Sequence, residues 1–321
     1  MRQAGRYMEG YREIRKDHGM LEMCKSPEIS SAVAAMPVEK FGVDAAILFS
    51  DITIPLTAMG VRLRIEEGAG PVIAHPVRVM GDVDEIAPLD IAEVSFTAES
   101  VKRTRELLSD AVPVIGFSGA PFTLASYLIE GGGSRNYTAV KSMMYGKQEV
   151  WRKLMEKLTA AVVDYLRMQV GAGCRVVQLF DSWAGCLSAR DYSEFVLPYT
   201  SAIAGSMASE NVEVISFLTG NSSLLPLMRC RGVTAVSADW RIRIDEAWDA
   251  VGHDIAIQGN LDPAVMLASK DYMLSRAGEI LDRTRGRNGH IFNLGHGILK
   301  ETPEANVKAL VDYVHSRGVD E

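Results

Sequence analysis

Seven short apolar runs, each the length of a β-strand, recur along this chain: 43–49, 112–117, 176–180, 212–218, 233–237, 255–258 and 291–294. Several are apolar throughout, as strands covered on both faces should be. Longer stretches with helical periodicity separate them. Residues 27–41 follow Ser26, a suitable N-cap, place Pro27 at the first helical position and stop before Gly42. The same reasoning predicts helices over 83–108 (interrupted near Pro88), 148–170, 189–208, 244–251, 263–284 and 303–315. One strand alternating with one helix calls for a parallel sheet with helical crossovers. That leaves a TIM (β/α)8 barrel or a doubly wound open sheet. The latter usually carries a glycine-rich dinucleotide turn after a strand, and no such fingerprint occurs here. An α/β TIM barrel is therefore expected, one strand short, the missing unit being the first. Alternation over 61–77, around Gly68-Ala69-Gly70-Pro71, predicts a β-hairpin excursion.

With 321 residues, 47% of them hydrophobic, the chain can bury one large core or two modest ones. No linker or composition break divides it, so residues 1–321 are expected to form one domain. No apolar run is long enough to span a bilayer, and the start lacks the pattern of a secretory signal, which favours a cytoplasmic protein and no membrane partner. Cys24, Cys174, Cys186 and Cys230 are widely separated, without CxxC or HxC spacing, so neither a disulfide framework nor a metal site is expected. A formal net charge of −7 without an extended basic stripe argues against nucleic acid.

Against that acidic background, the first sixteen residues carry Arg2, Arg6, Arg12, Arg15 and Lys16 opposed only by Glu9 and Glu13. Such a segment is either a solvated basic turn or a site for a multiply charged anion. Arginine suits the second role because its planar fork can grip a carboxylate through two parallel hydrogen bonds. Polar residues also gather where the predicted strands end: Ser50-Asp51, Ser118-Gly119, Asp181-Ser182-Trp183, Asp239-Trp240, Gly259-Asn260 and Gly295-His296-Gly297. In a barrel, active sites collect at these carboxyl ends. Each residue alone would serve equally as a loop cap or turn former.

These junctions, together with the opening segment, resemble the uroporphyrinogen decarboxylase family. The likeness lies in MRQAGRY at 1–7, ILFSDI at 47–52, GFSGAPFTLASYLIEGGG at 116–133, QLFDSWAG at 178–185, QGNLDP at 258–263 and FNLGHG at 292–297, collinear up to about His315. The stretch 217–225 departs most from the family pattern. Members of the family carry further residues before the opening motif, including most of the first strand, so the chain is expected to be short at its N-terminus. The resemblance implies a TIM barrel, a homodimer, no cofactor, and a carboxy-lyase of heme biosynthesis. Its expected reaction is the stepwise removal of carbon dioxide from the four acetate side chains of uroporphyrinogen III, giving coproporphyrinogen III.

The resemblance also assigns residues. Asp51 matches the aspartate at the centre of the macrocycle, where a carboxylate accepts pyrrole N–H bonds and stabilises developing positive charge; taken alone, it reads equally as a helix N-cap. Arg2 and Arg6 match substrate-binding arginines, with Arg2 also catalytic beside the acetate being lost. Charge stabilisation suits Arg2 better than direct proton donation, since a guanidinium holds its proton above a pKa of about 12. Tyr127, Ser182 and His296 match the remaining substrate-binding positions, the histidine either as imidazolium or as a neutral ring. Arg15 is either a distant carboxylate contact or a surface helix charge. Two alternatives belong to other classes. A cobamide-dependent methyltransferase shares the barrel but needs HxC zinc ligands, which are absent. A non-catalytic porphyrinogen-binding protein would bind without turnover.

Overall fold

A computed structural model of the protein describes residues 2–66 and 70–318. In chain order the strands are β1 (Ala46–Ile47), β2 (Leu63–Glu66), β3 (Gly70–Ile73), β4 (Val114–Gly119), β5 (Val176–Asp181), β6 (Glu213–Leu218), β7 (Ala235–Ser237), β8 (Ala256–Leu261) and β9 (His290–Leu294). Every apolar run singled out in the sequence overlaps one strand of a seven-stranded sheet, ordered β1-β4-β5-β6-β7-β8-β9 and parallel at each pairing. The architecture is the curled parallel sheet of a TIM barrel. Helices cover its outer face, among them Pro27–Phe41 on β1, Gln148–Gly171 on β4, Leu197–Ala208 on β6 and Ile244–Val251 on β8. β2 and β3 pair antiparallel as the predicted hairpin, although Gly68 and Ala69 of its expected turn lie outside the described residues.

β1 is two residues long where the sequence suggested seven. It is an edge strand: among the described residues β1 pairs with β4 alone. Its other edge is met by a side chain: Gln3 Nε2 donates to the Ala45 carbonyl at 2.9 Å, and Gln3 Oε1 accepts from the Ile47 N–H at 3.1 Å. One amide thus imitates a residue of a neighbouring strand. The two ends of the sheet, β1 and β9, both line a cleft of about 690 Å³ that also takes in Arg2, Tyr7 and Leu310.

Helix boundaries differ from expectation where proline or a cap intervenes. The stretch 189–208 divides into Ala189–Phe195 and Leu197–Ala208, because Pro198 lacks the N–H that a continuous helix would need. Residues 263–284 open with a 3-10 turn, and Ser269 then caps Lys270–Thr284 through the Tyr272 N–H. The expected break near Pro88 separates Met80–Glu85 from Ser95–Leu107. Pro121–Glu130, inside a motif noted above only for its family likeness, is a buried helix. Burial on nearly every side, Thr123 and Ser126 included, removes the polar face that would mark the helical period.

Candidate active site

The opening segment is built into the protein rather than extended into solvent. Ala4, Tyr7, Met8 and Tyr11 are buried, Tyr7 stacking on Phe41 at 6.1 Å and Tyr11 meeting Phe49 edge-on at 5.8 Å. Arg12 turns back to the carbonyls of Arg6 and Tyr7, at 3.0 and 2.7 Å. Arg15 donates to the His18 carbonyl beyond the end of helix Glu9–Asp17, so here it closes a helix terminus. Arg2 and Arg6 are exposed. Arg2 Nη2 donates to the Ile298 carbonyl at 3.2 Å, with its guanidinium across Gly297, where an added Cβ would stand 3.3 Å from Nε. That contact gives the second glycine of the GHG motif a reason. The surrounding protein lowers the Arg2 pKa even though the residue is exposed, because bulk water is partly displaced from the concavity it occupies; the charge of Arg6 lowers it further, against an opposing effect from Tyr11.

Asp51 follows β1 and is half-buried. Its Oδ1 accepts from Thr53 twice, the N–H at 2.8 Å and the hydroxyl at 2.5 Å, closing a turn ahead of helix Ile54–Thr57, whose N-cap position is Thr53 and not Asp51 as the N-cap alternative required. Oδ2 accepts no hydrogen bond from a described residue and remains available to a ligand. Tyr127, on helix Pro121–Glu130, senses that carboxylate: burial and then the Asp51 charge push its pKa up to about 12, so the phenol is a neutral donor at physiological pH. The Tyr127 ring lies 4.0 Å from Trp183, which follows half-buried Ser182.

Phe117, Phe180 and Phe217, from adjacent strands β4, β5 and β6, meet edge to face at 5.5 and 5.8 Å on the inner side of the sheet. This apolar belt continues to His296, 6.0 Å from Phe217 and 6.4 Å from Trp240. His296 is exposed, yet the crowded pocket wall and then the Arg2 charge lower its pKa, so the ring is neutral at pH 7. Of the two states open from sequence, imidazolium and neutral ring, the surroundings favour the neutral one. Asp51 and Tyr127 therefore form one polar cluster with Ser182 beside it, Arg2 and His296 form another, and an aromatic belt runs between β4 and the β9 loop. Arg6 approaches through its charge effect on Arg2.

Two carboxylates that sequence reasoning did not select help to hold this site. Because Phe180 faces the barrel interior, Asp181 faces outward, where its Oδ1 accepts the Thr123 N–H at 3.2 Å and the Thr123 hydroxyl at 2.8 Å in the first turn of the Tyr127 helix. Its Oδ2 is buried without a partner among the described residues, and burial raises the pKa to about 7 despite those two donors. Asp239, at the end of the β7 run, accepts from Thr219, Gly220 and Arg241. Burial opposes its ionisation, but these donors outweigh it and hold the pKa below the usual carboxylate value. Both aspartates ended apolar runs in the sequence, but their orientation depends on strand register, which composition does not reveal.

Among the described residues no three His, Cys, Asp or Glu side chains stand close enough to hold a metal ion, so the zinc-dependent alternative finds no ligand set there. No helix among them is long and apolar enough to cross a membrane. A family model described as uroporphyrinogen decarboxylase matches residues 1–317. The uroporphyrinogen decarboxylase of Carboxydothermus hydrogenoformans is 48% identical over 316 residues, covering 98% of this chain and 90% of the relative. That of Solibacter usitatus is 46% identical over 314 residues, covering 98% and 91%. Among solved structures, a methyltransferase from Methanosarcina mazei superposes with a TM-score of 0.77 at 23% identity, covering 92% of this chain and 87% of that one, a likeness of fold.

Proposed function

The chain belongs to the uroporphyrinogen decarboxylase family, and we propose on that basis that it converts uroporphyrinogen III to coproporphyrinogen III in heme biosynthesis, releasing carbon dioxide from each of four acetate side chains. The observation that carries the reading is Asp51: a carboxylate oxygen without a donor among the described residues, beside a neutral tyrosine. An acetate on a pyrrole loses carbon dioxide once the ring can receive the electron pair. Protonation of the ring carbon next to the acetate-bearing one, beside the nitrogen, provides that sink: the cation is then delocalised over the acetate-bearing carbon and the nitrogen. The C–C bond then breaks, its electrons neutralise the cation, and a proton reaches the exocyclic carbon to leave a methyl group as the ring proton departs. One proton thus replaces one carbon dioxide.

In this reading Asp51 Oδ2 accepts the pyrrole N–H groups and opposes the cationic charge, in a setting where apolar walls strengthen the interaction. Arg2 holds and orients the acetate, Arg6 takes a peripheral carboxylate, and Tyr127 and Ser182 donate to carboxylates as neutral hydroxyls. The neutral His296 ring positions a carboxylate by a single N–H. Family membership also supports action as a homodimer, as one domain and in the cytoplasm; a monomeric mass by sedimentation at working concentration would remove the first of these.

The test is anaerobic incubation with uroporphyrinogen III, with separation of the hepta- to tetracarboxylate products. Turnover is expected from the native chain. Asp51→Asn keeps the size but replaces the anion with donors facing pyrrole N–H groups, and the expected loss in kcat is at least about a hundredfold, as for removal of a preorganised transition-state charge. Absence of turnover by the native chain would overturn the decarboxylase reading, and near-native turnover in Asp51→Asn would overturn the role of that residue.

A further inference from the structure

The cations discussed so far enter from the opening segment, and the β9 loop contributes only a neutral histidine. A further guanidinium stands on the other side of that histidine, in the loop after β7. The Arg241 guanidinium carbon lies over the Trp240 ring, 4.1 Å from its centroid, and Trp240 in turn meets His296 edge to face at 6.4 Å. Its Nη1 donates to Asp239 Oδ2 at 2.5 Å and to Thr219 Oγ1 at 3.1 Å, while its backbone N–H donates to Asp239 Oδ1 at 2.9 Å. The supporting carboxylate is 7% exposed, whereas 49% of the arginine side chain is open. The negative partner is therefore inside and the positive group outside.

The loop itself is fixed from behind. Buried Asn260, at the end of β8, donates to the carbonyls of Asp239 and Ile242 at 2.8 and 2.7 Å. Gly295 lets the β9 loop approach so closely that a Cβ there would stand 2.6 Å from the Trp240 nitrogen. Stacking and the two Nη1 bonds thus hold the fork before any ligand arrives, and its Nε and Nη2 take no acceptor among the described residues. A fork already ordered loses little side-chain entropy when it binds a carboxylate.

We propose that Arg241 is a substrate-binding residue, a preorganised rim guanidinium that takes one peripheral carboxylate of an octacarboxylate tetrapyrrole on the His296 side of the pocket. The proposal rests on the decarboxylase reading for the identity of its ligand. Two outward donors with a positive charge suit a carboxylate bound side-on, and the stacked Trp240 offers an apolar edge to the macrocycle.

The experiment pairs steady-state decarboxylation with direct binding of uroporphyrin, the oxidised octacarboxylate, followed by quenching of tryptophan fluorescence. In Arg241→Gln, KM and the uroporphyrin Kd should each rise about tenfold, the scale of one charge-assisted contact, with kcat within about twofold. Arg241→Lys, which keeps the charge but not the fork, should fall between. It also reads the effect if the glutamine variant fails to fold. Arg276→Gln, on outer helix Lys270–Thr284, controls for net charge and should leave both constants unchanged. A Kd within twofold of native in both Arg241 variants, or an equal loss in Arg276→Gln, overturns the proposal, as does a fall in kcat with KM unmoved. A native chain that binds uroporphyrin through Arg241 but does not turn over would instead overturn the decarboxylase reading and leave this one standing.

Discussion

The Gln3 side chain occupies the open edge of β1, accepting from the Ile47 N–H across 44 residues of sequence while donating to the carbonyl two residues earlier. This pairing registers the arginine-bearing segment against the strand that leads to Asp51. The cationic and anionic parts of the candidate site are therefore coupled by a backbone-like ladder. Arg2 and Arg6 flank the clamp, and Arg2 is fastened again to the Ile298 carbonyl.

Removing the clamp should loosen both functions at once. Gln3→Ala leaves one N–H and one C=O of β1 without these partners, which should cost about 1–3 kcal/mol of stability. It should also raise KM, because Arg2 and Arg6 lose their fixed distance from Asp51. Denaturant unfolding and steady-state turnover check both effects. Lower stability with an unchanged KM would show that the segment is positioned without Gln3.

Asp181 predicts a pH dependence of stability. Burial raises its pKa from 3.8 to about 7, so between those values the folded chain keeps a proton that the unfolded chain has released. Stability from this group is full below about pH 4, falls as pH rises toward 7, and is flat above. A shift of this size sets a ceiling of about 4 kcal/mol on the change. Asp181→Asn keeps an oxygen acceptor for Thr123 but cannot ionise. The difference in unfolding free energy, variant minus native, should accordingly grow from pH 4 to pH 7 and then level off. Parallel pH profiles for the two proteins would remove Asp181 as their source.

The barrel was legible because its strands are apolar runs with polar residues at their carboxyl ends, a pattern that a buried parallel sheet imposes. Asp51, Tyr127, Ser182 and His296 were legible through motif likeness. Asp181 and Arg241 were not, for different reasons. An aspartate after Phe180 reads the same whether it faces the pocket or the helix layer, and only the stacking of Phe117, Phe180 and Phe217 settles which side is inward. Arg241 gave no signal in the sequence because its partners come from three places: Thr219 after β6, Asp239 after β7, and Asn260 at the end of β8 holding the loop behind it. Such convergence arises only when neighbouring strands are aligned. Gln3 was overlooked because a glutamine that imitates a strand leaves no periodic signal.

The two arginines of the opening motif should separate kinetically. Arg6 is exposed, and Arg6→Lys keeps the charge while losing the two-pronged grip, so its main effect should be a higher KM. Arg2 is held against the GHG loop, and Arg2→Lys should mainly lower kcat by misplacing the charge beside the reacting acetate. Gly297→Ala supplies an independent check without touching the arginine. Its methyl group would stand 3.3 Å from Arg2 Nε and 3.4 Å from Nη2, close enough to displace the guanidinium by a few tenths of an ångström. If placement rather than charge sets the rate, Gly297→Ala should reproduce the fall in kcat of Arg2→Lys, with KM near native. A changed KM and an unchanged kcat in both variants would make Arg2 a binding residue alone and move the rate-determining charge elsewhere in the pocket.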